Sequence, residues 1–258
     1  MSRNAIITGA SSGIGSALAR ELARRGWSIA LLARRGELLE ELRKTSATTS
    51  VAIACDVTEA PAVERAARRA EQELGGPFDL AIANAGVSIP GHATKFNLVE
   101  EEQMIRVNVI GMMNLFAAVI PSMVERRTGR FAGVASIAGL RGMPTAAAYS
   151  ASKAAMQNFL EASRIELAPY GVGVTIVNPG FIATAMTEKN KFKMPFLMQA
   201  DDAARVIADG VERGKRVIEF PRPMSIMMRM MRHVPDALYD RMTKPYARRK
   251  VDPAKVKR

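Results

Sequence analysis

Along most of the chain, short apolar and β-branched runs alternate with longer stretches whose apolar residues recur every three or four positions. Asn4–Thr8, Ser28–Ala33, Val51–Cys55, Leu80–Ala83, Arg130–Ala135 and Val172–Val177 have the length and composition of buried strands. Ile14–Arg25, Ala60–Leu74 and Ala147–Leu167 have the helical spacing between them. A seventh run, Val217–Phe220, reads as a strand closing the edge of the sheet. Buried strands joined through helices require right-handed crossovers, so the pattern predicts an α/β fold of the Rossmann type. This is a doubly wound, seven-stranded parallel sheet with helices on both faces. No internal repeat, low-complexity linker or composition break precedes about residue 213. The expected division is therefore a main doubly wound unit over 1–212, extended within the same domain by a final strand and a basic tail over 213–258.

The remaining composition narrows the class. With 258 residues, 48% hydrophobic and 24% charged, the chain can bury one large core and is neither disordered nor fibrous in character. Its lone cysteine, Cys55, accompanied by only His92 and His233, supplies neither a disulfide scaffold nor a zinc cluster, so no metal is expected. Met1–Asn4 runs straight into the first strand without a secretory leader pattern, which makes the cytoplasm the expected compartment. The longest apolar stretch, Val107–Val124, is interrupted by Asn108, Asn114 and Pro121 and reads as a buried helix, short of the roughly 20 clean residues of a bilayer span.

Where the first strand hands over to the first helix stands Thr8-Gly9-Ala10-Ser11-Ser12-Gly13-Ile14-Gly15. Gly9 permits a tight turn, Gly13 allows a pyrophosphate to approach the backbone, and Gly15 lets helix and strand pack closely. The N–H groups at the helix start favour the anion. The glycine spacing is G-x-x-x-G-x-G and departs from the commoner G-x-G-x-x-G, so the βαβ context carries as much of the reading as the motif.

That segment resembles the cofactor loop of the short-chain dehydrogenase/reductase family, in its compact single-domain branch, and the resemblance extends over roughly residues 4–190. Asn84-Ala85-Gly86 matches the element after the family's fourth strand, with Ala83 where a second asparagine is frequent. Asp56, with Val57 beside it, matches the acidic position that meets the adenine. Pro179-Gly180 and Thr184 match the stretch that holds the nicotinamide carboxamide. The implied activity is reversible hydride transfer between a nicotinamide cofactor and a carbonyl or alcohol carbon.

The chemistry is expected from Asn108, Ser136, Tyr149 and Lys153. Tyr149 and Lys153, four apart on a helix, share a face, and a nearby ammonium favours the phenolate, drawing the phenol toward a range useful for proton transfer. The resemblance implies that Ser136 hydrogen-bonds the substrate carbonyl and that Asn108 helps hold a proton relay with the lysine. Singly, each residue has a plainer reading as a cap, turn or surface group; the four in order, behind the glycine loop, speak for catalysis. The alternative is a dinucleotide-binding scaffold or regulator without useful turnover.

Cofactor choice is read after the second strand, in Leu31-Leu32-Ala33-Arg34-Arg35. Ala33 occupies the family's acidic position and Arg34 is placed to pair with a 2′-phosphate, so NADP(H) is favoured over NAD(H). Beyond Thr184, Glu188–Leu197 mixes Lys189, Lys191 and Lys193 with Phe192, Met194, Phe196 and Leu197, the pattern of a lid over a hydrophobic small-molecule substrate. The resemblance further implies a homodimer or homotetramer built through the helices near Met104–Met123 and Ala147–Leu167.

The net charge of +12 is concentrated in the tail, where residues 213–258 hold 14 Lys and Arg against 4 Asp and Glu. There Ile226, Met227, Met230, Met231 and Val234 share a helical face opposite Arg229, Arg232 and His233. Four readings stay open for this segment: core packing, cover of the substrate mouth, subunit contact, or peripheral contact with an anionic membrane. No nucleic-acid partner is expected, because no base-stacking aromatics interleave the charges.

Overall fold

The computed structural model describes residues 3–188 and 193–247. Its seven-stranded sheet is assembled from β1 (Arg3–Thr8), β2 (Trp27–Ala33), β3 (Ser50–Ala54), β4 (Leu80–Ala83), β5 (Arg130–Val134), β6 (Gly173–Pro179) and β9 (Val217–Phe220), in the order β3-β2-β1-β4-β5-β6-β9. Every pairing is parallel. The doubly wound sheet expected from the pattern is therefore present, with Val217–Phe220 at its edge beside β6. A two-stranded pair that the pattern did not reveal, β7 (Ile182–Ala183) with β8 (Met198–Gln199), follows β6.

Two apolar layers sandwich the sheet. Along β1, Ala5 and Ile7 face α1 (Gly13–Arg24), α2 (Gly36–Lys44) and α7 (Ala200–Glu212), while Ile6 faces α3 (Ala60–Leu74), α5 (Gly111–Glu125) and α6 (Ala147–Leu167). Both faces are buried, and for that reason the strands read as unbroken apolar runs. Helices α3 and α6 have the bounds read from the sequence.

The stretch Leu98–Glu125 corrects one expectation. It is a single continuous helix, α4 (Leu98–Ile105) passing through a π turn at Arg106–Ile110 into α5, and by length and composition it is apolar enough to cross a membrane. Asn108 and Asn114, counted as interruptions, are satisfied inside the protein: Asn114 Nδ2 donates to the Val57 carbonyl (2.8 Å) and Asn108 bonds Val87 and Ser152. The helix packs on α3, α6 and strands β4 and β5.

Beyond β9 come α8 (Arg222–Arg232) and α9 (Asp236–Ala247). Met224, Ser225 and Met228 form the buried face of α8, packed on Ile137, Leu140, Met143 and Phe181. Ile226, Met227 and Met230, read from spacing as one apolar face, point outward. Arg141 joins the two helices: its guanidinium donates to the Met231 and Val234 carbonyls (2.5 and 2.6 Å), pairs with Asp236 (2.8 Å) and lies 3.9 Å from the Tyr239 ring centroid. A cation on the last carbonyls of α8 complements its dipole.

Candidate active site

Strand order reverses between β1 and β4, and the crevice at such a switch point, outside the carboxyl ends of the strands, is where a doubly wound sheet binds ligands. A cavity of about 580 Å³ lies there. It is lined at one end by Gly9, Ser11, Ser12, Gly13, Ile14, Arg34, Asp56 and Val57, in the middle by Asn84, Ala85 and Gly86, and at the other end by Ser136, Tyr149, Lys153, Pro179, Gly180 and Thr184. Of the catalytic and cofactor-binding residues expected from the sequence, Thr8, Gly15 and Asn108 are the ones outside the lining, and each builds its wall.

The glycine loop is shaped by contacts that a side chain would destroy. Gly9 and Gly13 have φ of +67° and +58°; a Cβ on Gly9 would stand 2.8 Å from Ala85 Cα, and one on Gly15 would stand 2.3 Å from the Gly9 carbonyl oxygen. Asn84 Nδ2 donates to the Thr8 and Gly9 carbonyls (3.0 and 3.3 Å), while Thr8 Oγ1 accepts from the Asn84 and Ala85 N–H groups (3.1 and 3.2 Å). These bonds tie the ends of β1 and β4 into one cradle. No side chain caps the first turn of α1, whose N–H groups and dipole suit a pyrophosphate. The cavity lining, glycine cradle and helix start together fit a dinucleotide.

At the mouth near β2, geometry adds a residue that sequence reasoning passed over. Arg34 lines the cavity, but Arg35 reaches across it: its Nη2 donates to Ser11 Oγ (2.9 Å) and Ser12 Oγ (2.7 Å). Both cations line this end of the cavity, and Ala33 offers no carboxylate beside them. Asp56 Oδ1 accepts from the N–H and hydroxyl of Thr58 (2.9 and 2.8 Å), which fixes the turn after β3.

The reactive end is built on β5, α6 and the π turn. Ser136 closes β5 in extended conformation, and its Oγ accepts from the Ala138 N–H (3.1 Å) and reaches the Pro179 carbonyl (3.4 Å). Lys153 Nζ donates to the Val134 carbonyl (2.8 Å) and lies 5.8 Å from the Tyr149 ring centroid. Asn108, fully buried, accepts from the Val87 N–H (2.8 Å) and donates to Ser152 Oγ (3.0 Å), which itself donates to the Tyr149 carbonyl (2.7 Å). Asn108 thus braces the helix turn that carries Tyr149 and Lys153. Ser152 is a member of this brace that no motif announced.

The electrostatics differ from the simple expectation. Burial pushes the Tyr149 phenol above the ordinary tyrosine range, a hydrogen bond with Ser136 opposing it, and no lowering by Lys153 offsets this. Burial also draws Lys153 down to about 7. Its ammonium is held by a carbonyl and not by a carboxylate, so nothing offsets the loss of water. The unfolded chain then binds more protons than the fold between about pH 7 and pH 10, and stability rises with pH across that window. From pH 7 to pH 9 the wild type is expected to gain about 2 kcal/mol over Lys153→Met in denaturant melts. Parallel pH dependences for the two proteins would contradict the burial of a titrating amine.

Of the lid pattern, Lys189, Lys191 and Phe192 lie outside the described residues. On either side of them Met186 lines the cavity, and Phe196 and Leu197 are exposed.

Fold and site define a dinucleotide-dependent oxidoreductase architecture, and the chain belongs to the short chain dehydrogenase family, whose profile matches residues 3–194. An uncharacterized oxidoreductase of Myxococcus xanthus is 40% identical over 241 residues, covering 92% of this chain and 95% of the relative. A protein named ketoacyl reductase HetN, from Nostoc, is 33% identical, with 76% and 69% covered. Among solved structures, an alcohol dehydrogenase of Thermococcus sibiricus complexed with 5-hydroxy-NADP superposes with a TM-score of 0.75 at 27% identity, covering 85% of this chain and 95% of that one. A short chain dehydrogenase/reductase of Burkholderia phymatum in complex with NAD shares the fold, with a TM-score of 0.79 at 22% identity and 89% and 92% covered. The protein is accordingly an oxidoreductase of a family that uses nicotinamide cofactors.

Proposed function

We propose that the protein is an NADP(H)-dependent oxidoreductase interconverting a carbonyl and an alcohol on a hydrophobic, lipid-like substrate, with Tyr149 as acid and base. The observation that carries this reading is the meeting of Ser136, Tyr149 and Lys153 in the same cavity as the glycine cradle. The cofactor, when bound, supplies or takes up the hydride. In the reductive direction Ser136 Oγ and the Tyr149 hydroxyl hydrogen-bond the substrate oxygen, and Tyr149 gives its proton to that oxygen as the carbonyl becomes an alcohol. Lys153, protonated, stabilises the phenolate left behind, and oxidation reverses each transfer. The apolar side chains Val87, Ile89, Ile182 and Met186 in the cavity lining support a hydrocarbon substituent on the carbonyl.

An absorbance assay of NADPH consumption over aldehydes, ketones and acyl-chain carbonyls tests the proposal. Turnover of apolar members is expected. Binding of NADPH without turnover of any member would leave a dinucleotide-binding scaffold, and absence of both would overturn the reading altogether.

The same reading includes one domain, with the catalytic unit over 1–212 and its basic extension over 213–258, a cytoplasmic setting, and a homodimer or homotetramer through α5 and α6. Ile165, 64% exposed on α6, supports an apolar contact there. It also includes peripheral contact of the tail with an anionic membrane, supported by the outward Ile226 (59% exposed) and Met230 (68%) beside Arg222 and Arg232. Arg248 and Arg249, basic positions of the same tail, lie outside the described residues. Each basic residue near an anionic surface contributes on the order of 1 kcal/mol before screening. Changing Arg222, Arg232, Arg241 and Lys244 together to Gln is therefore expected to abolish co-sedimentation with phosphatidylserine vesicles at low salt. Wild-type binding indifferent to lipid charge and to salt would return α8 and α9 to a subunit contact or plain packing.

A further inference from the structure

A line of polar side chains runs from α8 to the backbone of Ser136 and has no place in the chemistry above. Arg229, on α8, donates through Nε to Glu219 Oε2 (2.7 Å); Glu219, on β9, accepts at Oε1 from Asn178 Nδ2 (3.1 Å). Asn178 Oδ1 accepts from Gln157 Nε2 (2.9 Å), and the same Nε2 donates to the Ser136 carbonyl (2.7 Å). Asn178 is buried, and the Glu219 side chain is 11% exposed.

The direction of this line is set by acceptors at its two ends, the Glu219 carboxylate and the Ser136 carbonyl. An ionised carboxylate only accepts, so Asn178 must turn its amide nitrogen to Glu219 and its oxygen to Gln157. Gln157 must then present its own nitrogen, and that nitrogen is what the Ser136 carbonyl requires. A glutamine at 219 would release the outer end of the line, because an amide can donate to Asn178 as readily as accept from it. The Ser136 peptide is in turn the hub of its loop: its carbonyl accepts from the Gly139 N–H (3.0 Å) and its Oγ from the Ala138 N–H. Helix α8 also bears on the cavity floor, since a Cβ on Gly180 would meet Met224 Sδ at 2.9 Å.

We propose that Glu219, acting through Asn178 and Gln157, is a positioning residue that orients Ser136, and that Arg229 couples this orientation to the docking of α8. The proposal rests on the reading of Ser136 as the residue that meets the substrate oxygen. Charge-assisted bonds at the outer end polarise the neutral amides further in, and a line satisfied at every atom holds one geometry where a broken line would allow several.

Hydrogen exchange of the full chain tests it without any substrate, with the Ala138 and Gly139 amides as reporters because both bond to Ser136. Glu219→Gln is expected to speed their exchange about tenfold and leave the β1 amides unchanged, and Arg229→Gln to speed it about threefold. Arg229→Lys should restore most of the protection. With NADPH and a medium-chain methyl ketone as probe, Glu219→Gln should lower kcat about tenfold at unchanged KM for NADPH, and cost nothing more in a Ser136→Ala background. Unchanged exchange at both reporters in both variants, or an equal kinetic loss with and without Ser136, would overturn the proposal. Should Glu219→Gln fail to fold, the exposed Arg229→Gln carries the test. If Ser136→Ala alone keeps full turnover, the reading of Ser136 falls, while the exchange measurement still decides whether the line orients its loop.

Discussion

Replacing Tyr149 by phenylalanine is expected to lower kcat about 10²–10⁴-fold while leaving NADPH affinity within about twofold. The ring, its packing on α6 and the backbone bond to Ser152 all survive the change, while the hydroxyl is lost with its transferable proton and its hydrogen bond to Ser136. Burial already pushes the phenol upward in the ligand-free protein, so the phenolate needs Lys153 charged beside it, and Lys153 is itself drawn down to about 7. Activity in the oxidative direction, which starts from phenolate beside a charged Lys153, should therefore rise from acid pH and level off above about pH 7, and Lys153→Met should damage turnover nearly as much as the loss of the hydroxyl. Single-turnover measurements of Tyr149→Phe across the substrate panel check the assignment, and near-normal kcat on the best substrate would remove Tyr149 from the chemistry.

The second large effect is expected at the β2 mouth. In wild type, NADPH should bind well ahead of NADH, because Arg34 and Arg35 both line the cavity and Ala33 carries no carboxylate. A charge-assisted bond contributes about 1.5–3 kcal/mol, so removing both cations should cost NADPH roughly two decades or more of affinity. Introducing Ala33→Asp with Arg34→Ala and Arg35→Ala adds an acceptor for ribose hydroxyls and a repulsion against phosphate, and the preference should invert. Fluorescence titration of both cofactors reads this directly; equal wild-type affinities would sink the assignment. Arg35→Ala alone separates the two arginines, since Arg35 is the one that already bonds Ser11 and Ser12.

Much of the cavity could be read from the linear order of residues because it is made of strand ends, and strand ends follow from local pattern. Thr8–Gly15, Asp56, Asn84–Gly86, Ser136 and Pro179–Gly180 each follow directly on an apolar run, and a parallel sheet brings all such positions to one edge. The Tyr149–Lys153 pair was legible for a similar reason, as helical spacing alone puts four-apart residues on a face.

What stayed hidden depends on partners distant in the chain. Arg34 and Arg35 are adjacent and chemically alike, and only the path of the chain after β2 decides which reaches Ser11 and Ser12. The orientation of α8 was hidden in the same way: spacing groups Ile226, Met227 and Met230 on one face, and only packing decides that this face points outward while Met224 and Met228 turn inward. Lys153 looked like a cation serving Tyr149, but its charge state depends on burial and on a carbonyl of β5, neither of which has a sequence signature. Local periodicity and glycine placement thus determined by themselves the sheet, its order of elements and the edge that holds the site. Tertiary packing alone decided side-chain direction, desolvation and the polar line from Arg229 to Ser136, because each is a property of atoms that only folding brings within a few ångströms.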